Sequence, residues 1–205
     1  MSRARGGDGG EQARLFVAVS LPEALTAELA RWARAASATA GGIRRLAPQS
    51  MHITLCFLGE QSLGRVEELA ALLSAAAEPV AAIGELTLGA PLWLPPRRPR
   101  ALAVAVGDPD GGLGRLRALL ARDIATTIGW KPGRERFRPH VTVARMRPLV
   151  ASRGQAGRSA RRAAGGVELA PTPQLAFIAD TVVLLRSHLE PDGAHYEVLA
   201  GVGGW

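Results

Sequence analysis

Two stretches of this chain, RLFVAV (14–19) and ALAVAV (101–106), each open a strand–helix–strand unit, and each unit closes on a strand that carries a histidine. His52 lies 38 residues after Arg14, and His140 lies 39 residues after Ala101. Self-similarity at a fixed offset means two copies of one supersecondary unit. The duplication restricts the chain to an α+β fold with two similar lobes.

The elements follow from periodicity and punctuation. Arg14–Val19 reads as a buried strand after a Gly- and charge-rich stretch, residues 1–12, expected to be a disordered tail. In SLPE, Ser20 precedes Glu23 by three residues with Pro22 between them, a capping-box pattern. Leu25, Leu29, Trp32 and Ala36 then predict a helix from about Pro22 to Ala38, broken by Gly41–Gly42. RRLAPQS reads as a loop before the His52 strand. A second helix is predicted over about Leu63–Ala77 and a strand over Ile83–Ala90. The Pro- and Arg-rich PLWLPPRRPR then leads into the strand at Ala101. Leu113, Leu116, Leu120 and Ile124 predict a helix ending at Gly129. Beyond the His140 strand come a basic Gly/Ser-containing segment and strands near Gln174–Ile178, Thr181–His188 and His195–Ala200. Residues 13–205 form one bilobal domain on this reading.

Side chains alternate faces along a strand. In MHITLCFLGE, His52, Thr54 and Cys56 share one face, and Ile53, Leu55 and Phe57 the other. In FRPHVTVARM, His140, Thr142 and Ala144 point one way, and Val141 and Val143 the other. Arg145 falls on the packing parity, so the strand must end, twist or bulge there to expose its charge. A lone histidine in an apolar strand is more often structural than catalytic. Two His-x-Thr triplets at matching places in a duplicated unit differ, because a pseudo-twofold brings both to one cleft.

Composition narrows the chemistry. The chain has 205 residues, 47% of them hydrophobic, enough to bury a real core. No apolar run approaches the roughly 18–20 residues needed to cross a bilayer, and the first residues lack the apolar segment of a secretory signal. A cytoplasmic protein without a membrane segment is expected. Cys56 is the only cysteine, so no intramolecular disulfide or multi-cysteine zinc site can form, and a buried small hydrophobe is its expected role. The net charge of +7 comes from arginine, with Lys131 the single lysine, and favours anionic partners, nucleic acid above all.

Two imidazoles and two hydroxyls around one groove suit phosphodiester cleavage. One neutral ring takes a proton from water, a protonated one gives a proton to the departing sugar oxygen, and the threonines hydrogen-bond the non-bridging oxygens. Neither a metal nor a cofactor is required. Zinc ligation by the two histidines ranks lower, since no Asp, Glu or Cys accompanies either at ligand spacing. The residues leave open which histidine is acid and which is base.

From about Arg14 onward, RLFVAVSLP, MHITLCFLGE, RPRALAVAVG and FRPHVTVARM resemble the two-histidine phosphoesterases, specifically the RNA 2′,3′-cyclic phosphodiesterase family, also called 2′-5′ RNA ligases. The resemblance implies a bilobal fold of two antiparallel sheets flanking a groove, with helices outside. It also implies hydrolysis of RNA 2′,3′-cyclic phosphate ends to 2′-phosphomonoesters by a monomer. In those terms His52 is the proton donor, His140 the proton acceptor, and Thr54 and Thr142 hold the phosphate. Arg44, Arg45 and Arg145 are candidate phosphate or RNA contacts. Family members often carry an aromatic residue between the arginine and the prolines upstream of the first motif, where this chain reads Arg44–Arg45–Leu46–Ala47–Pro48. Phe16 and Tyr196 are candidate stacking residues, Phe16 more readily as core, while His188 and His195 lack a Thr partner and read as bystanders. Two other readings stand beside hydrolysis: a non-catalytic nucleotide or RNA binder, and ligation as the reverse reaction. Intact histidines favour the enzyme, acting on RNA ends, tRNA fragments or small cyclic nucleotides.

Overall fold

The computed structural model describes residues 11–38, 42–133, 136–146, 169–190 and 193–203. Residues 1–10 of the tail expected at 1–12, the basic segment after the second motif, and Arg134 and Arg147 lie outside these described residues.

The chain runs β1 (Gln12–Ser20), α1 (Glu23–Ala36), β2 (Ile43–Arg45), β3 (His52–Ser62), α2 (Val66–Ala75), α3 (Ala77–Ala81), β4 (Glu85–Leu94), β5 (Ala101–Gly107), α4 (Gly112–Ile128), β6 (His140–Met146), β7 (Ala176–Ile178), β8 (Thr181–Glu190) and β9 (Gly193–Gly203). The strands lie in the order β7-β4-β5-β6-β3-β1-β8-β9, every pair antiparallel, with β2 also on β6. This order is two four-stranded halves, β9-β8-β1-β3 and β7-β4-β5-β6, meeting at β3 and β6. The duplicated units therefore contribute equivalent strands, β1 with β5 and β3 with β6. The two expected antiparallel sheets are these halves, and Ile53↔Val141 is the register position that joins them.

Each half takes its helices on one face. α1 buries Leu25, Leu29, Trp32, Ala33 and Ala36, and α4 buries Leu113, Leu116, Leu120 and Ile124, as their spacing predicts. These side chains join Leu15, Val17 and Ile53 of one half and Leu102, Val104 and Val141 of the other in one apolar cluster. A smaller cluster of Phe16, Ala18, Val183 and Leu185 lies apart from it, with Tyr196 packed alongside.

Several details depart from the expected elements. Gln12 pairs with Ser62, so it belongs to β1 and not to a tail. The capping box does not form: Pro22 is the N-cap of α1, and no side chain caps the helix. Ser20 lies instead in β1, paired with His52. At α4 the cap comes from further back, where Asp108 accepts from the N–H groups of Leu113 (3.2 Å) and Gly114 (2.9 Å). Gly129 closes that helix in the left-handed region at φ 67°, as its position predicts. Arg44 and Arg45, read as loop, form the short β2 together with Ile43. β4 runs on through Pro91 because its ladder to β5 shifts register between Leu88 and Pro91, and an irregularity of this kind accommodates a proline that donates no hydrogen bond.

Candidate active site

β3 and β6 carry the two His-x-Thr triplets and start identically. HITLCF and HVTVAR share one burial pattern: His and Thr half-buried, the second, fourth and fifth residues buried, the sixth exposed. The cause is a bulge at the same place in both. β1 pairs Ala18 with Thr54 and Val17 with Cys56, skipping Leu55. β5 pairs Ala103 with Thr142 and Leu102 with Ala144, skipping Val143. In each strand the extra residue follows the threonine, and a bulge sends two successive side chains to one side.

The bulge exposes Arg145, as its charge requires. It also corrects the expected parity of the first strand. Cys56 turns into the core and Phe57 turns out, 52% exposed, with the Arg14 guanidinium 5.6 Å from its ring centroid. Burial pushes the Cys56 thiol up to about 11, so it packs as a small hydrophobe, as expected.

Both histidines are held in the same way. Nδ1–H of His52 donates to the carbonyl of Ser50 at 3.0 Å, and Nδ1–H of His140 donates to the carbonyl of Arg138 at 2.7 Å. A carbonyl oxygen only accepts, so each bond fixes the hydrogen on Nδ1. Nε2 of each ring is then the atom left to take a proton or, once protonated, to give one. The antiparallel register about Ile53↔Val141 sets His52 across from Thr142, and His140 across from Thr54. The structure thus brings all four expected residues to the junction of the halves.

The surroundings of the two rings differ. His52 has Phe16 at 5.0 Å between centroids and Tyr196 edge-on at 5.1 Å and 85°. Burial, the main cause, holds its pKa down at about 4; the charges on Arg145 and His140 act in the same direction, and the Ser50 bond opposes them. Phe16 is 3% exposed, so it is the packing residue expected. A cavity of about 410 Å³ opens beside His52, bordered by Tyr196, Glu23, Gln49 and Val198. A second, of about 210 Å³, is bordered by Arg44, Arg45, Arg145, Ser50, His195 and Tyr196.

The three candidate arginines therefore share one wall beside the histidines. Leu46 is half-buried against the core. Of the two supposed bystanders, His188 pairs with Glu197 at 2.8 Å, whereas His195 borders the arginine cavity. Its position was hidden from the sequence, since β9 reaches the site only through the curl of the sheet. Among the described residues no three His, Cys, Asp or Glu side chains gather as a metal-ligand set, and no helix is long and apolar enough to cross a membrane.

A family model described as the 2′-5′ RNA ligase superfamily matches residues 15–190. The chain belongs to the 2′-5′ RNA ligase superfamily. It is 33% identical over 123 residues to an RNA 2′,3′-cyclic phosphodiesterase of Aeropyrum pernix, covering 60% of this chain and 68% of that one. It is 32% identical over 136 residues to the Escherichia coli K12 protein of the same name, covering 66% and 73%. Among solved structures, TT0787 of Thermus thermophilus superposes with a TM-score of 0.75 at 26% identity, over 93% of this chain and 97% of that one. Escherichia coli LigT complexed with 3′-AMP gives 0.69 at 24%, over 94% and 98%, and shares the fold. In this superfamily member, the α+β fold with its large antiparallel sheet is the one the resemblance implied.

Proposed function

We propose that this protein hydrolyses the 2′,3′-cyclic phosphate at an RNA end to a 2′-phosphomonoester. The observation that carries the proposal is the matched pair of Nδ1–H bonds to carbonyls two residues upstream, which leaves two Nε2 atoms for proton transfer at one junction. The activity named for the two relatives supports the same reaction.

Nε2 of His140 takes a proton as a water oxygen attacks phosphorus. The bond from phosphorus to the 3′-oxygen breaks, and protonated His52 gives its proton to that oxygen. The 2′-phosphomonoester and a free 3′-hydroxyl result. Thr54 and Thr142 donate hydroxyl hydrogens to the non-bridging oxygens, where charge builds in the transition state. The assignment of donor and acceptor follows the family resemblance. It requires His52 to be charged when it acts, against the burial that holds its pKa down at about 4. An incoming phosphate anion offsets the burial and the Arg145 charge that keep it low.

The substrate is RNA in the cytoplasm, and the protein, a single bilobal unit from Gln12, acts as a monomer. The test is incubation with an oligonucleotide ending in a 2′,3′-cyclic phosphate, followed by identification of the end. A 2′-phosphate supports the proposal. Unchanged ends leave a binder only, and a 2′,5′-linked joined product makes the reverse reaction the dominant one.

A further inference from the structure

Arg44 and Arg145 stand directly opposite one another in the β2–β6 pair. Two guanidinium groups at that position offer planar donors of the kind that bind oxyanions. Both line the smaller cavity, of about 210 Å³, together with His195, Ser50 and Tyr196. Among the described residues no carboxylate lines it; Glu190, the acidic partner of His195 at 3.6 Å, lies outside that wall.

The cations are not equivalent. Arg45 reaches the rim, but its Nη1 donates to Ser37 Oγ at 3.3 Å, toward the end of α1. Arg44 is seated against the start of β9, where a Cβ on Gly193 would overlap its guanidinium. Gly193 also has φ 140°, a conformation that a side chain disfavours, so glycine serves both the turn and the close approach. Arg44 is thereby braced between β2 and the β8–β9 hairpin, and a braced guanidinium loses little freedom on binding an oxyanion.

The cavity adjoins His52 through two of its own walls. Ser50 supplies the carbonyl that orients His52, and the Tyr196 ring meets the His52 ring edge-on. An anion held there is next to one held between the histidines. Along an RNA end, the group next to the terminal cyclic phosphate is the phosphate on the 5′-oxygen of the same ribose.

We infer that the Arg44–Arg145–His195 cavity is a second anion subsite, which takes the 5′-phosphate of the terminal nucleotide while the cyclic phosphate sits at the histidines. The inference rests on the proposed reaction and adds what the protein reads: a phosphodiester-linked end in preference to a free nucleoside cyclic phosphate. Tyr196, on the border of both cavities, separates the nucleoside from the second phosphate.

Product analogues test it without turnover. Calorimetry compares adenosine 2′-monophosphate with adenosine 2′,5′-bisphosphate on the full chain at one fixed salt concentration, with inorganic phosphate as a third ligand. The bisphosphate is expected to bind about tenfold tighter or more, as a charge-assisted contact to a braced arginine implies. The double variant Arg44→Gln, His195→Gln is expected to bring the two nucleotides within about twofold, and Arg44→Lys to keep part of the difference. Circular dichroism checks the fold of each. Equal affinities in the natural protein, or a difference that survives the double variant, overturn the subsite, as does inorganic phosphate that binds tightly and fails to compete with the 5′-phosphate. Hydrolysis of adenosine 2′,3′-cyclic phosphate by the same preparation is scored separately. Absence of hydrolysis both there and on an oligonucleotide ending in a 2′,3′-cyclic phosphate, beside a bisphosphate preference, removes the proposed reaction and leaves the subsite standing.

Discussion

Ile53 of β3 is paired with Val141 of β6, both with no exposed surface, and this pair joins the two halves of the sheet. Each lies between the His and the Thr of its own triplet. Truncating Ile53 to Ala removes buried methyls where both halves meet, and is expected to cost about 2–5 kcal/mol in denaturant unfolding. Ile53→Val should cost about 0.5–1.5 kcal/mol. A neutral Ile53→Ala would show that the halves are held together elsewhere.

His52→Ala and His140→Ala are each expected to slow hydrolysis by about 10²–10⁴-fold, the usual contribution of a positioned acid or base. Circular dichroism should stay unchanged, since each ring makes one carbonyl hydrogen bond and His52 adds only ring contacts with Phe16 and Tyr196. The unmodified protein should keep its rate after thorough chelation. Activity lost to chelation and regained with zinc or manganese would replace side-chain acid–base chemistry with a metal mechanism.

The depressed pKa of His52, about 4, gives a pH dependence with a defined sign. Between about pH 6.5 and 4 the unfolded chain binds this proton and the folded one does not, so folding stability drops as the pH is lowered through that window. The full effect is about 3 kcal/mol. Arg145→Met removes one of the charges that depress it, so the His52 midpoint in an NMR titration should rise. A midpoint unmoved by that substitution would mean that Arg145 does not act on the ring.

Salt distinguishes an RNA end from a small nucleotide. Arg44, Arg45, Arg136, Arg138 and Arg145 lie close to the two motifs in sequence. Oligonucleotide binding is expected to weaken by roughly 0.7 log unit per log unit of salt for each phosphate neutralised. A nucleoside cyclic phosphate should give a much flatter line. Equal slopes would make a small cyclic nucleotide the better substrate.

The halves, their helices and the four motif residues were legible because each rests on a period that the duplication repeats. The bulges were legible only in part. For Arg145 a buried guanidinium is so unfavourable that the sequence demanded an irregularity. For Cys56 and Phe57 either parity places an apolar group inside, so no penalty marked the error. β2 was missed because three residues with two arginines carry no strand pattern of their own, and their strand character comes from β6. The same holds for His195, whose place depends on how far the sheet curls.

The exposed residue after each bulge is Phe57 in one half and Arg145 in the other, each five positions beyond its histidine. A site made from two like copies would accept a ligand in either of two orientations with equal ease. Here the twin positions offer a ring on one side and a positive charge on the other, so the two orientations are no longer degenerate. Divergence at a single matched position gives the duplicated unit a head and a tail, so that its two halves are told apart by charge.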